Sequence, residues 1–412
     1  MSSGPLPTTP EACAAAVALF KSGAIAPMRP LVSAFAMPNT PRLRVTLSTI
    51  EHACDALIDR WARGDATLPH PPIDPRVREA ALLDVRSGRR LLFTRMDVVC
   101  PPEAPAEFQL LEVQAGDPSA MGWCDLLATA LGTPATLMRS HRRHLEALTP
   151  GRSVAFAVPL QSIVRSDHEA LAVHYRANGW EATVVDPGSL RFNGKVLTAA
   201  NRPVDVVFRD ALDELLDPAR SPGGESLLDA HAAGKVLVAN PFSAALADDK
   251  SWLEALSTES EWGSETWAVL SRHVPCTRVV RAGKVRWRGE EVELPSFIRS
   301  NRERLVLKPC EGYGGFGVVV GPASTVEDWE AALGRGLSGQ RLVVQEYVSL
   351  PRHTLRMLDG SGVEQTGVAN VVHSLWVHAG QLAGGFVRAS NQPVVNVHQG
   401  GGLGPISFAP PV

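Results

Sequence analysis

Leu305-Val306-Leu307-Lys308-Pro309-Cys310-Glu311-Gly312-Tyr313-Gly314-Gly315-Phe316-Gly317-Val318-Val319-Val320 is an apolar run carrying one lysine, then a glycine-rich loop, then a run of valines. Gly312 to Gly317 literally matches G-x-G-x-x-G. A dinucleotide fingerprint needs a helix after those glycines, because the pyrophosphate rests on the helix N-terminus, and three consecutive valines do not start one. The segment therefore predicts two strands joined by a flexible loop, an arrangement that can fold over nucleotide phosphates as in protein kinases. A kinase places its lysine after the loop and needs H-R-D and D-F-G motifs; Lys308 precedes the loop and neither motif occurs. The competing reading is a surface hairpin without a ligand. Against it stands Lys308, whose charge between apolar neighbours is costly to bury unless something anionic sits beside it.

Residues two apart on a strand point to the same side. In Thr94-Arg95-Met96-Asp97-Val98 that pairs Arg95 with Asp97, and in Leu110-Leu111-Glu112-Val113-Gln114-Ala115 it pairs Glu112 with Gln114. If the two strands are neighbours, all four polar residues share one face and Met96, Leu111 and Val113 take the other. Two carboxylates, an amide oxygen and an arginine on one face suit a magnesium nucleotide site, and equally suit a solvated face with an ordinary Arg–Asp pair. Further on, Leu342-Val343-Val344-Gln345-Glu346-Tyr347-Val348 reads as a strand that ends in polar residues before Pro351.

The 412 residues include 45% hydrophobic and 20% charged positions, an ordinary globular composition for two or three domains. A net charge of -3 and the lack of a Lys/Arg run give no footprint for nucleic acid. The apolar stretch Ala12 to Phe20 is too short to cross a bilayer and lacks a basic leader, so a cytoplasmic protein without membrane association is expected. Cys13, Cys54, Cys100, Cys124, Cys276 and Cys310 show no C-x-x-C spacing, which argues for reduced thiols rather than zinc or disulfides. Of the 40 basic residues only Lys21, Lys195, Lys235, Lys250, Lys284 and Lys308 are lysines, so a lysine is mildly informative here, since a compact ammonium fits against a phosphate oxygen where a planar guanidinium fits less well.

The chain divides into four stretches. Residues 1–90 read as helical, with Glu11 to Phe20 and Glu51 to Ala62 the clearest periodic segments; residues 91–150 carry the two polar-faced strands. Residues 151–239 alternate strand and helix (Ser153 to Pro159, Asp167 to Ala177, Glu181 to Asp186, Val204 to Arg209, Val236 to Ala239), the pattern of a layered α/β domain with a partly parallel sheet. Residues 240–412 are rich in β-branched strands with glycine turns.

Seven blocks then stand in a telling order: Arg95-Met96-Asp97, Leu111 to Pro118, Asn240-Pro241 leading to Lys250, Arg272 to Thr277, Lys308 to Gly317, Gln345 to Val348, and Gly385 to Ser390 with Val395-Asn396-Val397. In these blocks the chain resembles the circularly permuted ATP-grasp proteins related to the synthetase domain of glutathionylspermidine synthetase. The resemblance implies an α/β ATP-grasp fold with a Rossmann-like pre-ATP-grasp domain. It implies magnesium, as two ions, on Asp97, Glu112 and Gln114. ATP phosphates would meet Lys250, Lys308 and the loop of Gly312, Tyr313, Gly314, Gly315 and Gly317, and adenine the segment Gln345, Glu346 and Val348. Arg388 falls on a catalytic arginine near the acyl phosphate, and Arg95 on one beside the acid substrate. The family usually has Asn where Gln114 stands and often Asp where Gly116 stands, and no amidase domain precedes these blocks, so glutathione and spermidine are not implied.

The activity this resemblance implies is ligation of a small-molecule carboxylate to an amine through an acyl phosphate, releasing ADP and phosphate. An ATP-binding module or pseudoenzyme of a biosynthetic complex, and a phosphotransferase acting on a hydroxyl, remain as alternatives at this point.

Overall fold

The computed structural model describes residues 3–69, 71–210, 223–312, 314–397 and 400–409. Helix Pro10–Lys21 opens on Thr9, whose side chain accepts the Ala12 N–H, with proline in the first turn and Lys21 in the last. Helix Pro41–Ala62 is capped the same way by Thr40. Its stripe of Leu43, Leu47, Ile50, Cys54, Leu57, Ile58 and Trp61 is buried at helical spacing, so one face is committed to the core. No helix among the described residues is long and apolar enough to cross a membrane.

Three sheets matter for the site. The largest has nine strands and mixes the two ends of the chain: Phe93–Val99 lies between Gln109–Gln114 and Glu364–His378, followed by Gln381–Ser390 and Gly402–Ala409. The antiparallel register sets Arg95 opposite Gln114, Met96 opposite Val113 and Asp97 opposite Glu112, so the shared polar face expected from the alternation exists. On the far side Phe93–Val99 pairs with Glu364–His378, which puts Ser374 opposite Asp97. The N-terminal stretch, expected to be helical, also supplies a short strand, Phe35–Pro38, that runs parallel to Gly402–Ala409. Four residues ending in proline give no strand signal of their own; the partner at the other end of the chain makes the strand.

The second sheet is fully parallel, in the order Leu237–Ala239, Val206–Arg209, Ser153–Ala157, Glu181–Val185. The chain turns to one side after its first strand and to the other for its third, so the strand order reverses between Ser153–Ala157 and Val206–Arg209. Open α/β sheets bind ligands outside the carboxyl ends of the strands at such a reversal. The third sheet is antiparallel, ordered Thr277–Val279, Leu342–Glu346, Leu305–Pro309, Val319–Val320. Val306 faces Val320 and Leu307 faces Val319, which makes the expected hairpin around the glycine loop.

Candidate active site

Gly312, Gly314, Gly315 and Gly317 all have φ between +70° and +107°, a region that only glycine enters freely. At Gly317 a Cβ would also come within 2.9 Å of the Pro309 ring, so the loop backbone lies close over the base of its own hairpin. Beneath it opens a cleft with about 860 Å³ of empty space, part of it open to solvent. The cleft brings together Asp97, Glu112, Lys250, Lys308, Gly312, Gly315, Gln345, Glu346, Val348 and Arg388, as expected from the sequence. Gly314 and Gly317 belong to the same loop but do not line the cleft, and Tyr313 lies outside the described residues. Arg95 and Gln114 do not line the cleft and adjoin it through their hydrogen bonds to Asp97 and Glu112.

Asp97, almost fully buried, has both carboxylate oxygens occupied. Oδ1 accepts the Ser374 hydroxyl at 2.7 Å and Arg95 Nε at 3.2 Å; Oδ2 accepts Arg388 Nη2 at 2.7 Å and Arg95 Nη2 at 3.3 Å. Glu112 pairs with Lys250 Nζ at 3.1 Å. Burial alone would raise the Glu112 pKa, but Lys250, Lys308 and Arg388 outweigh it and hold the carboxyl well below its usual range. Lys250 is joined to the loop twice, by its N–H to the Cys310 carbonyl at 2.8 Å and by Nζ to the Gly312 carbonyl at 3.1 Å.

The two lysines differ. Burial draws the Lys250 pKa down, yet its direct contact with Glu112, helped by Asp248 and Asp249, leaves it raised. Lys308 donates only to neutral oxygens, the Leu111 carbonyl at 3.1 Å and Gln345 Oε1 at 2.6 Å. Burial pulls it down to about 8; Glu112 opposes this and Lys250 adds to it. A buried ammonium held by neutral groups is in deficit of negative charge, and a phosphate oxygen would supply it.

Gln345, expected among the nucleotide contacts, is wholly buried; its Oε1 holds Lys308 and its amide nitrogen donates to Thr277 Oγ1 at 3.0 Å, so it orients the lysine. The Glu346 carboxylate is already engaged by the Arg288 guanidinium and by the Cys276 N–H at 2.8 Å. Arg341 bridges the loop base to the Lys250 segment, with Nη1 on Asp249 at 2.8 Å and also on Glu311.

The donors suit a hard cation only in part. Asp97 and Glu112 offer carboxylate oxygens on adjoining strands, and magnesium is commonly held by one or two carboxylates plus the substrate's phosphates. Among the described residues no group of three or more His, Cys, Asp or Glu is arranged to hold an ion by itself.

Sequence reasoning missed a second polar centre at the reversal point of the parallel sheet. Arg209 ends its strand fully buried, donates Nη2 to the Pro241 carbonyl at 2.8 Å, and leaves Nε and Nη1 without a partner. Burial lowers its pKa, and Asp117, Asp248, Asp84 and Asp210 offset this only in part. Beside it Asp210, pushed up to about 7 by burial with Asp117 adding, accepts the Ser162 hydroxyl at 3.2 Å across the strand reversal. Asp117 follows directly on the Glu112 strand, and Asp248, two residues from Lys250, accepts the Gly116 N–H at 3.1 Å, so this centre adjoins the cleft. A Cβ at position 116 would strike Asp248 Oδ2 at 2.4 Å, which is why glycine stands there.

Residues 193–345 match a family model described as a circularly permuted ATP-grasp. An uncharacterised protein of Mycobacterium leprae is 29% identical over 218 residues, half of this chain and 36% of its own length. A putative glutamate–cysteine ligase of Frankia alni is 29% identical over 192 residues, 41% of this chain and 20% of its own. The chain thus spans about a third or less of these curated relatives. In fold it is similar to a glutathione synthetase-like effector from Globodera pallida in its apo form, with a TM-score of 0.58 at 11% identity over 97% of this chain and 96% of the other. Strands from the two ends of the chain are neighbours in the large sheet, and the carboxylate strands precede the phosphate loop, an order that agrees with the circularly permuted ATP-grasp model matched by residues 193–345.

Proposed function

We propose that the protein is an ATP-dependent carboxylate–amine ligase that releases ADP and phosphate. The observation that carries this is the convergence of Lys250, Lys308 and Arg388 on Asp97 and Glu112 beneath a glycine loop. These three cations surround the two carboxylates Asp97 and Glu112, while the other two cleft carboxylates, Glu311 and Glu346, are each engaged by an arginine outside the lining, Arg341 and Arg288, which leaves room for a polyanion.

On nucleotide binding Lys250 exchanges Glu112 for a phosphate oxygen, and Lys308 gains the anion it lacks. The freed Glu112, with Asp97, would hold magnesium, which neutralises charge on the phosphates when bound. Arg95 lies against Asp97 outside the cleft lining, and its Nη1, engaged among the described residues by the Ser119 carbonyl alone, is the nitrogen left to orient the acid, whose carboxylate oxygen attacks the γ-phosphorus as the bond to ADP breaks. Arg388 stabilises the charge that builds on the transferred group. The amine, having lost a proton, attacks the acyl carbon; the amide forms and phosphate leaves.

The centre at Arg209 is the second-substrate end. Two guanidinium nitrogens without a hydrogen-bond partner among the described residues call for a carboxylate, and Asp210 beside them suits an ammonium, so the ligand class is a small molecule bearing both, such as an amino acid. The name of the Frankia relative, which mentions two amino acids, supports that class. The six free thiols and the use of ATP support a cytoplasmic location.

The test supplies the protein with ATP, magnesium, a fractionated metabolite extract and hydroxylamine. An acid that yields a hydroxamate with stoichiometric ADP supports the proposal. Release of AMP and pyrophosphate, or of a stable phosphorylated alcohol, would replace it with adenylation or hydroxyl phosphorylation.

A further inference from the structure

Gln114 aligns in sequence with a usual ion ligand of this family, but its hydrogen bonds give it other work. It lies opposite Arg95 across the strand pair and two residues from Glu112 on the same face. Its Oε1 accepts from Arg95 Nη2, and its Nε2 donates to Glu112 Oε1 at 3.1 Å. An amide can in general be turned over, but here chemistry fixes it at both ends. Arginine has no acceptor, so the oxygen must face Arg95; an ionised carboxylate has no donor, so the nitrogen must face Glu112. An ion ligand has to present an oxygen lone pair to the metal. The only oxygen of this side chain is neutral and already faces a guanidinium, so a divalent ion on its other lone pair would meet that positive charge without the negative charge that Asp97 and Glu112 bring to the same neighbourhood. The methylene that distinguishes Gln from Asn is what lets the amide span Arg95 and Glu112 at once.

We infer that Gln114 is a positioning residue rather than an ion ligand: it aims Arg95 at the acid substrate and holds Glu112 Oε1, so that Oε2 faces Lys250. The ion is then held by Asp97 and Glu112 from this chain, and the nucleotide and water complete its shell. The inference rests on the nucleotide site proposed above and departs from the assignment that resemblance alone gives this residue. Arg95 is consistent with it. Its guanidinium is held by four contacts, to Asp97 twice, to Gln114 and to the Ser119 carbonyl at 3.1 Å, and the Phe386 ring lies 5.7 Å from its guanidinium carbon. Removing the amide leaves Nη2 held only by its longer contact to Asp97 Oδ2 at 3.3 Å, so that end of the fork is less firmly placed.

The test counts the waters on Mn2+ bound with AMP-PNP, from the line broadening that ¹⁷O-enriched water produces in the electron paramagnetic resonance spectrum. Losing a protein ligand admits a water, whereas losing an orienting neighbour does not. Q114M, similar in length but unable to hydrogen bond, should show the same water count as the unaltered protein, and E112A should show more. An extra water in Q114M overturns the inference while leaving the nucleotide site standing. If the unaltered protein takes up no Mn2+ with AMP-PNP, the nucleotide site itself falls and the inference falls with it. A second measurement uses the acid identified by hydroxamate trapping. Q114M and Q114N should both raise the KM for that acid about tenfold, as losses of an orienting partner do, with little change in the KM for ATP. The double variant R95M/Q114M should be no worse than R95M; additive losses overturn the positioning role.

Discussion

Replacing Lys308 with methionine should leave the fold at least as stable while weakening nucleotide binding, because on the proposed function the lysine gains its missing anion from a phosphate. The ammonium is 8% exposed, donates to two neutral oxygens, and is drawn from an ordinary 10.5 to about 8. That difference corresponds to about 3 kcal/mol of unfavourable environment for the charge. The sign follows from proton counting: between pH 8 and 10.5 the unfolded chain binds more protons at this residue than the folded one, so its penalty is complete below pH 8 and disappears as pH rises through that window. Methionine removes the penalty and loses two hydrogen bonds of roughly 1 kcal/mol each, so stability near neutral pH should hold or rise slightly. Nucleotide affinity should fall by ~10- to 100-fold, the worth of a charge-assisted hydrogen bond. Calorimetry in buffers of differing ionisation enthalpy gives a sharper reading. A phosphate that restores the lysine's charge makes ATP binding take up about half a proton at pH 8 and close to one at pH 9, with affinity weakening as pH rises. Unchanged affinity in the variant, or no proton uptake by the unaltered protein at pH 9, would refute the reasoning.

Other outcomes follow from the same geometry. Asp97→Asn together with Glu112→Gln should abolish magnesium-dependent ATP turnover in a colorimetric phosphate assay, with a loss of at least ~100-fold, since both carboxylates proposed to hold the ion are gone. Arg209→Met should spare AMP-PNP binding and thermal stability, because a buried, half-satisfied cation leaves with it, yet should suppress amide formation at any concentration of the second substrate; full activity would remove that centre from the reaction. Glu51, whose carboxyl burial pushes up to about 7 from 4.5, binds more protons in the folded chain across that interval, so stability should fall by about 3 kcal/mol as pH rises from 4.5 to 7. Urea unfolding of Glu51→Gln across that range should show the slope reduced by this amount.

That Asp97, Glu112, Lys308 and the glycine loop would be brought together was largely legible in the sequence. Alternation of period two put Arg95, Asp97, Glu112 and Gln114 on one face, and the register agrees residue by residue. The valines after Gly317 distinguished a hairpin from a helix, and the pairing of Val306 with Val320 agrees. What stayed hidden depends on long-range neighbours. Ser374 sits within a run of strand residues and becomes part of the site only because its strand lies beside Asp97. Arg209 reads as the polar end of a short apolar strand; its significance comes from what fails to meet it, and residues 117, 210 and 248 carry no mutual spacing that would gather them. Gln345 and Glu346 lay in the expected place, but their partners Lys308, Thr277 and Arg288 decide what those side chains do, and a strand pattern names no partners.

The central claim is that a carboxylate oxygen attacks the γ-phosphorus of ATP in this cleft. It is tested most directly with the acid identified by trapping, prepared with ¹⁸O in its carboxylate and incubated with ATP, magnesium and the amine. Mass spectrometry should find one ¹⁸O in each phosphate released and ADP in equal amount. Label in AMP, or phosphate free of label during demonstrable amide formation, would contradict the account.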